Sequence, residues 1–435
     1  MGKQFLEIAE KKKVDELITN LSVERAKQIE VEQVGIGEAL GRIASADIYS
    51  PLKIPPFDRA VMDGYAVIAS DTFYADEHNP ASLIIKGHIH AGGVPPDVVE
   101  PGHCMGISTG APLPQGVDAV VKVENTFEYV DKVNEETERI KKVKIYKPVA
   151  PAENIMPAGT DIKKNERIVR KGTMLTPRDT GVLAACGIHD VLIFKKPTVA
   201  VISTGNEILA PGEDLIPGKI YDVNAQTISD SVRECGCVPL VLGIARDNIE
   251  ELSEKVKRTL KSDVDAIIAS GGTSAGVGDL LPNVIAELGE IIIHGVDIKP
   301  GKPFIFGLIR GKPVFGLPGN PTSALITFNL FVVPLLRTLA GHSCGYDEGE
   351  RRRAKAAVRI FSDRGRNEYI LVNLVPVKTP KKEEQLLAYP ILSGSGALTT
   401  LSKADGYIFI KKGKEIIEEG DMVEVKLLND THFYF

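Results

Sequence analysis

The stretch from 196 to 341 leaves the fold the least freedom. PTVAVIST, VPLVLGIA, VDAIIAS and KPVFGL are short Val/Ile/Leu-rich runs, and they alternate with helical patterns at 224–236, 249–262, 279–289 and 322–340. Strands that are apolar on both faces need cover on both sides. The alternation therefore predicts a doubly wound α/β domain, a parallel sheet with helices on each face. In such a sheet ligands bind in the crevice beyond the carboxyl ends of the strands. Three of these ends carry glycine-bearing loops: VISTGNEIL (201–209), ASGGTSAGVGD (269–279) and FGLPGNPTSAL (315–325). In the third, Pro318-Gly319-Asn320-Pro321 forces a rigid turn, and Thr322 and Ser323 then open a long apolar helix. Unpaired N–H groups at a helix start, with hydroxyls beside them, favour anions. One such loop reads equally well as a plain turn; three at successive strand ends point to an anionic ligand. A β-carbon at Gly272 is expected to intrude on that ligand while leaving the fold largely intact.

The same ends carry carboxylates: Glu207, Asp279 and, in GIARDN, Asp247. A carboxylate repels a neighbouring phosphate unless a cation lies between them, so the combination predicts Mg²⁺ shared between these side chains and a phosphate. KPGKP (299–303) adds Lys299 and Lys302, which suit an oxyanion but also suit a charged hairpin edge. His88 and His90 in GHIHAGG share one strand face, yet no third ligand is evident nearby in sequence, so a metal pair is the disfavoured reading. Asp58 and Asp63 in IPPFDRAVMDGYAV (54–67) read as turn residues bonded to their own backbone.

Around this domain the texture changes. Residues 1 to about 45 read as helical, with apolar positions at 5, 8, 14, 17, 18 and 21 near a 3.6 period. From there to 148 the chain reads as β, with an exposed hairpin at EYVDKVNEETERIKKVKIYK. TPRDTGVLAACGI predicts a short helix with Thr176 as N-cap, Pro177 at its first position and Gly187 as its stop. The last ~90 residues suggest a small all-β domain. The expected partition is 1–45 with 149–195 as a linking domain, 46–148 as a β-rich insert, 196–341 as the α/β domain and 342–435 as the C-terminal β domain.

Composition sets the outer limits. A formal charge of −6 argues against a nucleic-acid partner along the whole chain. Five scattered cysteines do not form a disulfide framework, and Cys235 and Cys237 read as ordinary thiols at a helix end. The N-terminus is charged, with no secretory h-region. The longest apolar stretch, 323–336, has fourteen residues and contains Asn329 and Pro334, too short to cross a bilayer. A cytoplasmic protein with no membrane partner is expected.

Seven motifs taken in order are specific: PPFDRAVMDGYAV, ISTGAPLPQGVDAVV, VISTGNEI, SGGTSAGVGD, KPGKPFIFG, GLPGNPTSA and SGSGALTTLSKADGYI. Together the chain resembles the MoeA family of molybdopterin molybdenumtransferases, to which the gephyrin E domain also belongs. The resemblance implies an elongated four-part subunit that forms a homodimer. It implies that molybdate and adenylylated molybdopterin are converted to molybdenum cofactor with Mg²⁺-dependent release of AMP. The upstream molybdopterin adenylyltransferase would then be a candidate partner. Position by position, Asp63 and Thr109 match active-site positions on the β insert, and Glu207, Asp247 and Asp279 match acidic, Mg²⁺-binding positions of the pterin domain. Gly271, Gly272 and Ser274 match the ligand loop. Lys299, Lys302, Pro318 and Pro321 match the wall of an oxyanion pocket, and Ser323 matches a molybdate-side hydroxyl. Asp161 matches a further acidic position more weakly.

Two departures bear on function. SGGTSAG stands where the family commonly has SGGVSVG, a change that keeps the glycines and Ser274. Leu371 stands where many members carry a second arginine, which leaves Arg366 as the candidate cation of the last domain. Tungstate, a dianion of nearly equal size, is an alternative oxyanion. A non-catalytic scaffold like the gephyrin E domain is the competing function, and intact Asp63, Glu207, Asp247 and Asp279 argue against it. The related adenylyltransferase is essentially the α/β domain alone, which the 435-residue length disfavours.

Overall fold

A computed structural model describes residues 8–95, 98–132, 139–272, 280–342, 350–363, 365–378, 384–391 and 398–428. Ser274, Asp279 and Cys344 lie outside them.

The α/β domain is built on six strands in the order Val238–Ala245, Thr198–Thr204, Ala266–Ser270, Lys312–Leu317, Ile305–Ile309, Glu290–His294. The first four are parallel. The fifth, Ile305–Ile309, runs antiparallel to both of its neighbours, so the expectation of an all-parallel sheet is corrected to a mixed one. Ile305–Ile309 turns straight back into Lys312–Leu317, with Arg310 and Gly311 both at positive φ. No crossover helix is needed for a hairpin of that kind.

Alternation along each strand feeds two cores. Val199, Val201, Ile268, Phe315 and Leu317 face one way, onto Ile228 and Val232 of helix Val223–Glu234 and the long helix after Pro321. Ala200, Ile202, Ile267, Ala269 and Val314 face the other way, onto Leu252 and Val256 of Ile249–Thr259 and Val284 and Ile285 of Leu280–Leu288. Burial on both faces explains why these strands are continuously apolar in sequence.

The long helix runs over Pro321–Leu339, 19 residues at a mean hydropathy of 1.5, longer than the fourteen-residue apolar stretch suggests. Pro334 has no N–H to return to the helix, and the chain passes it through a π turn at Phe328–Val332. Two thirds of this segment is buried within the protein, where it serves as a core helix. Helix Lys11–Arg25 packs beside it and adds Val14 and Ile18 to the same core.

The remaining N-terminal expectation is corrected. Beyond Arg25 the chain forms a 3₁₀ turn and then strand Val31–Gly35, paired antiparallel with Asp190–Phe194. Gly35, Gly37 and Gly41 interrupt the helical pattern there. Helix Pro177–Ala185 follows its N-cap Thr176, whose N–H donates to Asp179 at 2.8 Å, and ends at Gly187 with φ +69°.

The insert is a six-stranded sheet whose edge hairpin pairs Thr126–Lys132 with Arg139–Ile145. In the C-terminal domain, strand Asn367–Lys378 pairs with Glu384–Pro390 through one half and with Gly406–Ile410 through the other, so the ladder closes on itself. A short helix, Leu398–Lys403, corrects the all-β expectation for this domain. Strand Ile298–Lys299, from the α/β domain, extends the same C-terminal sheet.

Candidate active site

Strand Thr198–Thr204 has a neighbour on each side, Val238–Ala245 and Ala266–Ser270, and both follow it in sequence. The connections therefore leave in opposite directions, and a crevice opens between them. It measures about 970 Å³ and is floored by Ser203, Thr204, Ser270 and Gly271. Glu207, Asp247, Gly272, Pro318 and Pro321 also line it, so six of the residues singled out from sequence converge here.

The loops are tied to one another by their own polar groups. Asn206 N–H donates to Asp247 Oδ2 at 3.3 Å, and Asp247 N–H donates to Asn206 Oδ1 at 3.2 Å. Asn224, in the first turn of Val223–Glu234, donates its amide N–H groups to Ser270 Oγ and to the Gly319 carbonyl, each at 2.8 Å. A carbonyl only accepts, so this fixes which way the Asn224 amide faces. One side chain thereby joins the helix after the first loop to the second and third loops. Asp222 caps the same helix by accepting from Ala225 N–H at 3.0 Å.

Gly271 has φ +94° and Gly272 has φ +63°. Both residues lie against Thr204: an added β-carbon would fall 2.3 Å from the Thr204 carbonyl oxygen at 271 and 2.9 Å from its Oγ1 at 272. The expectation that a β-carbon at Gly272 leaves the fold largely intact is corrected. Gly271 is required by the close approach of two parallel strand ends, whereas a side chain at Gly272 would strain the backbone and press on the Thr204 hydroxyl.

Sequence reasoning missed Ser203, Thr204, Ser270, Asn224 and Lys219 as crevice residues. The hydroxyls stand at the ends of the strand runs VAVIST and AIIAS, where polar residues follow apolar ones, and that was the available signal. Lys219 places a cation at the crevice, its Nζ bonded to the Asn206 carbonyl. The sequence had placed the cations in KPGKP instead.

Other predicted residues fall elsewhere. Ser323 is buried at the start of the long helix and is not among the crevice-lining residues. Lys302 and Arg366 are exposed outside it, while Pro303 brings the KPGKP loop to its edge. Lys299 Nζ lies 2.6 Å from Asp363 Oδ2 and 3.0 Å from Glu368 Oε1. Burial opposes its charge, but the bonds from Asp363 and Glu368 prevail and raise its pKa. Asp161 sits in the linking region, where its N–H donates to the Ile54 carbonyl.

Asp63 and Thr109 are brought together on the insert, not in the crevice. Asp63 Oδ1 accepts the Thr109 N–H at 2.7 Å and the Thr109 hydroxyl at 3.1 Å. The backbone bond first, then the hydroxyl, and with them the charge of His88 hold this carboxyl below its usual range. The His88 ring lies 4.4 Å from that of His90, tilted by 45°, and bonds Ser108 Oγ at 3.1 Å.

Among the described residues no group of three or more His, Cys, Asp or Glu side chains is arranged to hold a metal. Glu207 and Asp247 do line one crevice. Two hard oxygen donors in one crevice could hold Mg²⁺, which takes one or two carboxylates and completes its shell with other oxygens and water.

Fold and site together define a multidomain α/β protein with an acidic, glycine-walled crevice at the switch point of its sheet. Three family descriptions match in succession: MoeA N-terminal region (domain I and II) over residues 9–187, probable molybdopterin binding domain over 200–338, and MoeA C-terminal region (domain IV) over 353–428. The molybdopterin molybdenumtransferase of Bacillus subtilis is 32% identical, over 93% of this chain and 92% of its own. A putative molybdopterin biosynthesis protein of Methanocaldococcus jannaschii is 35% identical, over 92% of both chains. The crystal structure of a molybdopterin biosynthesis MoeA protein from Pyrococcus horikosii superposes with a TM-score of 0.82, at 40% identity over 98% of this chain and 100% of that one. The chain belongs to the MoeA family of molybdopterin molybdenumtransferases.

Proposed function

We propose that this protein inserts molybdenum from molybdate into adenylylated molybdopterin, releasing AMP in a Mg²⁺-dependent step. The observation that carries the reading is the convergence of Glu207 and Asp247 with the Gly271-Gly272 and Pro318–Pro321 walls on one crevice at the strand ends. Glu207 and Asp247, with Asp279 expected from sequence beside them, would hold Mg²⁺. When bound, the ion neutralises the phosphoanhydride and polarises the bond to be cleaved. Ser203, Thr204 and Ser270 would floor the ligand site with buried hydroxyls, and Lys219 would offset part of the ligand's negative charge. KPGKP and Ser323 would supply the oxyanion wall, with tungstate as an alternative dianion. The protein would work in the cytoplasm, receiving its substrate from the upstream adenylyltransferase.

Asp63 and Thr109 are absent from the crevice of their own chain. In a two-fold homodimer the insert of one subunit would cap the crevice of the other and bring this pair to the phosphate. The test of the whole reading is incubation with adenylylated molybdopterin, Mg²⁺ and molybdate, following AMP. Release that requires all three components is expected. Bound pterin without AMP would refute the transferase reading in favour of the scaffold.

A further inference from the structure

The lysine assigned to the oxyanion wall is already engaged. Strand Ile298–Lys299 leaves the α/β domain and pairs in parallel with Asn367 and Glu368 of the C-terminal sheet. That pairing presents Lys299 with two carboxylates, Asp363 at 2.6 Å and Glu368 at 3.0 Å. They differ in kind. The Glu368 side chain is 10% exposed, and its second oxygen accepts the Ser362 hydroxyl at 2.8 Å and the Asp363 N–H at 2.9 Å. It is a fixed anchor. The Asp363 side chain is 65% exposed and reaches Lys299 from the surface. Exposed ion pairs of this kind are weak and easily exchanged.

Among the described residues in direct contact with Lys299 the charges do not balance. One lysine against two carboxylates leaves the triad at a net charge of −1. Nearby on the same strand, Leu371 lies in the core beside Tyr369 and Tyr407 and supplies no cation. A tetrahedral dianion that approaches Lys299 meets a counter-ion already in place.

We propose that Asp363 is a built-in competitor for the oxyanion at Lys299. It holds the lysine when no oxyanion is bound and is displaced into solvent by molybdate, while Glu368 keeps the lysine in position. Arg366 lies close enough to act electrostatically on Asp363 and offers the displaced carboxylate a second cation. The inference rests on reading Lys299 as part of the oxyanion wall. It adds that affinity at this wall is set by the C-terminal domain.

The test is calorimetric titration of the full chain with molybdate alone, without pterin, at low and high ionic strength. Asp363→Asn removes the competing charge at an exposed position, and its thermal midpoint should match wild type. It should bind molybdate on the order of three- to tenfold more tightly at low salt, with the gain shrinking towards about 0.5 M salt as screening takes over. Asp363→Glu should restore wild-type affinity, and Lys299→Ala should weaken binding. If Lys299→Ala weakens binding but Asp363→Asn leaves it unchanged or weaker, the competitor is overturned while the oxyanion wall stands. If Lys299→Ala binds molybdate as wild type does, the wall itself has been misassigned and the competitor falls with it.

Discussion

Gly271→Ala separates a structural glycine from a merely permissive one. A β-carbon at 271 would stand 2.3 Å from the Thr204 carbonyl oxygen and 2.8 Å from Thr204 Oγ1. Neither atom can withdraw freely. Thr204 is buried at the end of the second strand and is paired with Ala245 across the sheet. The backbone angle adds to the cost, because φ +94° lies where an L side chain is strained. Left-handed backbone costs about 1–2 kcal/mol for a residue with a β-carbon. Overpacking a tight site costs about 1–3 kcal/mol more. The total is about 2–5 kcal/mol, which at roughly 2–4 °C per kcal/mol for a domain of this size lowers the midpoint by about 4–20 °C. Calorimetry of the full chain, with hydrogen exchange along Thr198–Thr204 to identify the affected domain, measures it. A midpoint within about 1 °C of wild type, with unchanged exchange, would refute the claim that the two strand ends need a glycine here.

Gly319→Ala is the contrasting case: among the described residues its β-carbon would meet only Gly271 Cα at an ordinary 3.7 Å, yet it narrows the crevice between two loops. Its midpoint should hold within about 1 °C, while affinity for adenylylated molybdopterin falls by about tenfold; unchanged affinity in a titration would place the ligand elsewhere. The Thr109 amide should report the ionisation of Asp63. Because the folded pKa is depressed, the contact contributes above the ordinary Asp value of about 3.9 and is lost as pH falls through the lower folded value. The amide resonance should titrate below that ordinary value and stop doing so in Asp63→Asn; a midpoint at or above it would contradict the assignment. Asp63→Ala and Asp247→Ala should each be nearly inactive, and subunit exchange between them should restore about a quarter of wild-type sites if the crevice is completed across a dimer. A mixture still inactive after exchange is verified by mass spectrometry would place both residues in one chain's site.

The parts of this molecule legible in sequence are those fixed by local rules. Strands buried on both faces must be apolar throughout, and their ends must turn, so the four parallel strands and their three loops could be read directly. The hairpin Ile305–Leu317 escaped because its turn is Arg310-Gly311, not one of the Asn-Gly or Asp-Gly pairs that mark such turns. The contact between Asp63 and Thr109 escaped the bottom-up reading because it joins residues 46 positions apart through pairing of Gly64 with Ile107. Lys299 is the most instructive case. The KPGKP motif alone leaves open an oxyanion site or a charged hairpin edge, and the first lysine instead meets Asp363, 64 residues further on, in a different domain. No local pattern encodes that pairing; it follows from where Ile298–Lys299 joins the C-terminal sheet. Leu371 belongs to the same argument. It sits in the shared core opposite Tyr407, where an arginine would bury a charge and require a partner of its own. A leucine in the core and an aspartate on the lysine both leave less positive charge around Lys299. If Lys299 forms the oxyanion wall, the leucine at 371 and the aspartate at 363 act together on one quantity, the field that a dianion meets at the C-terminal domain.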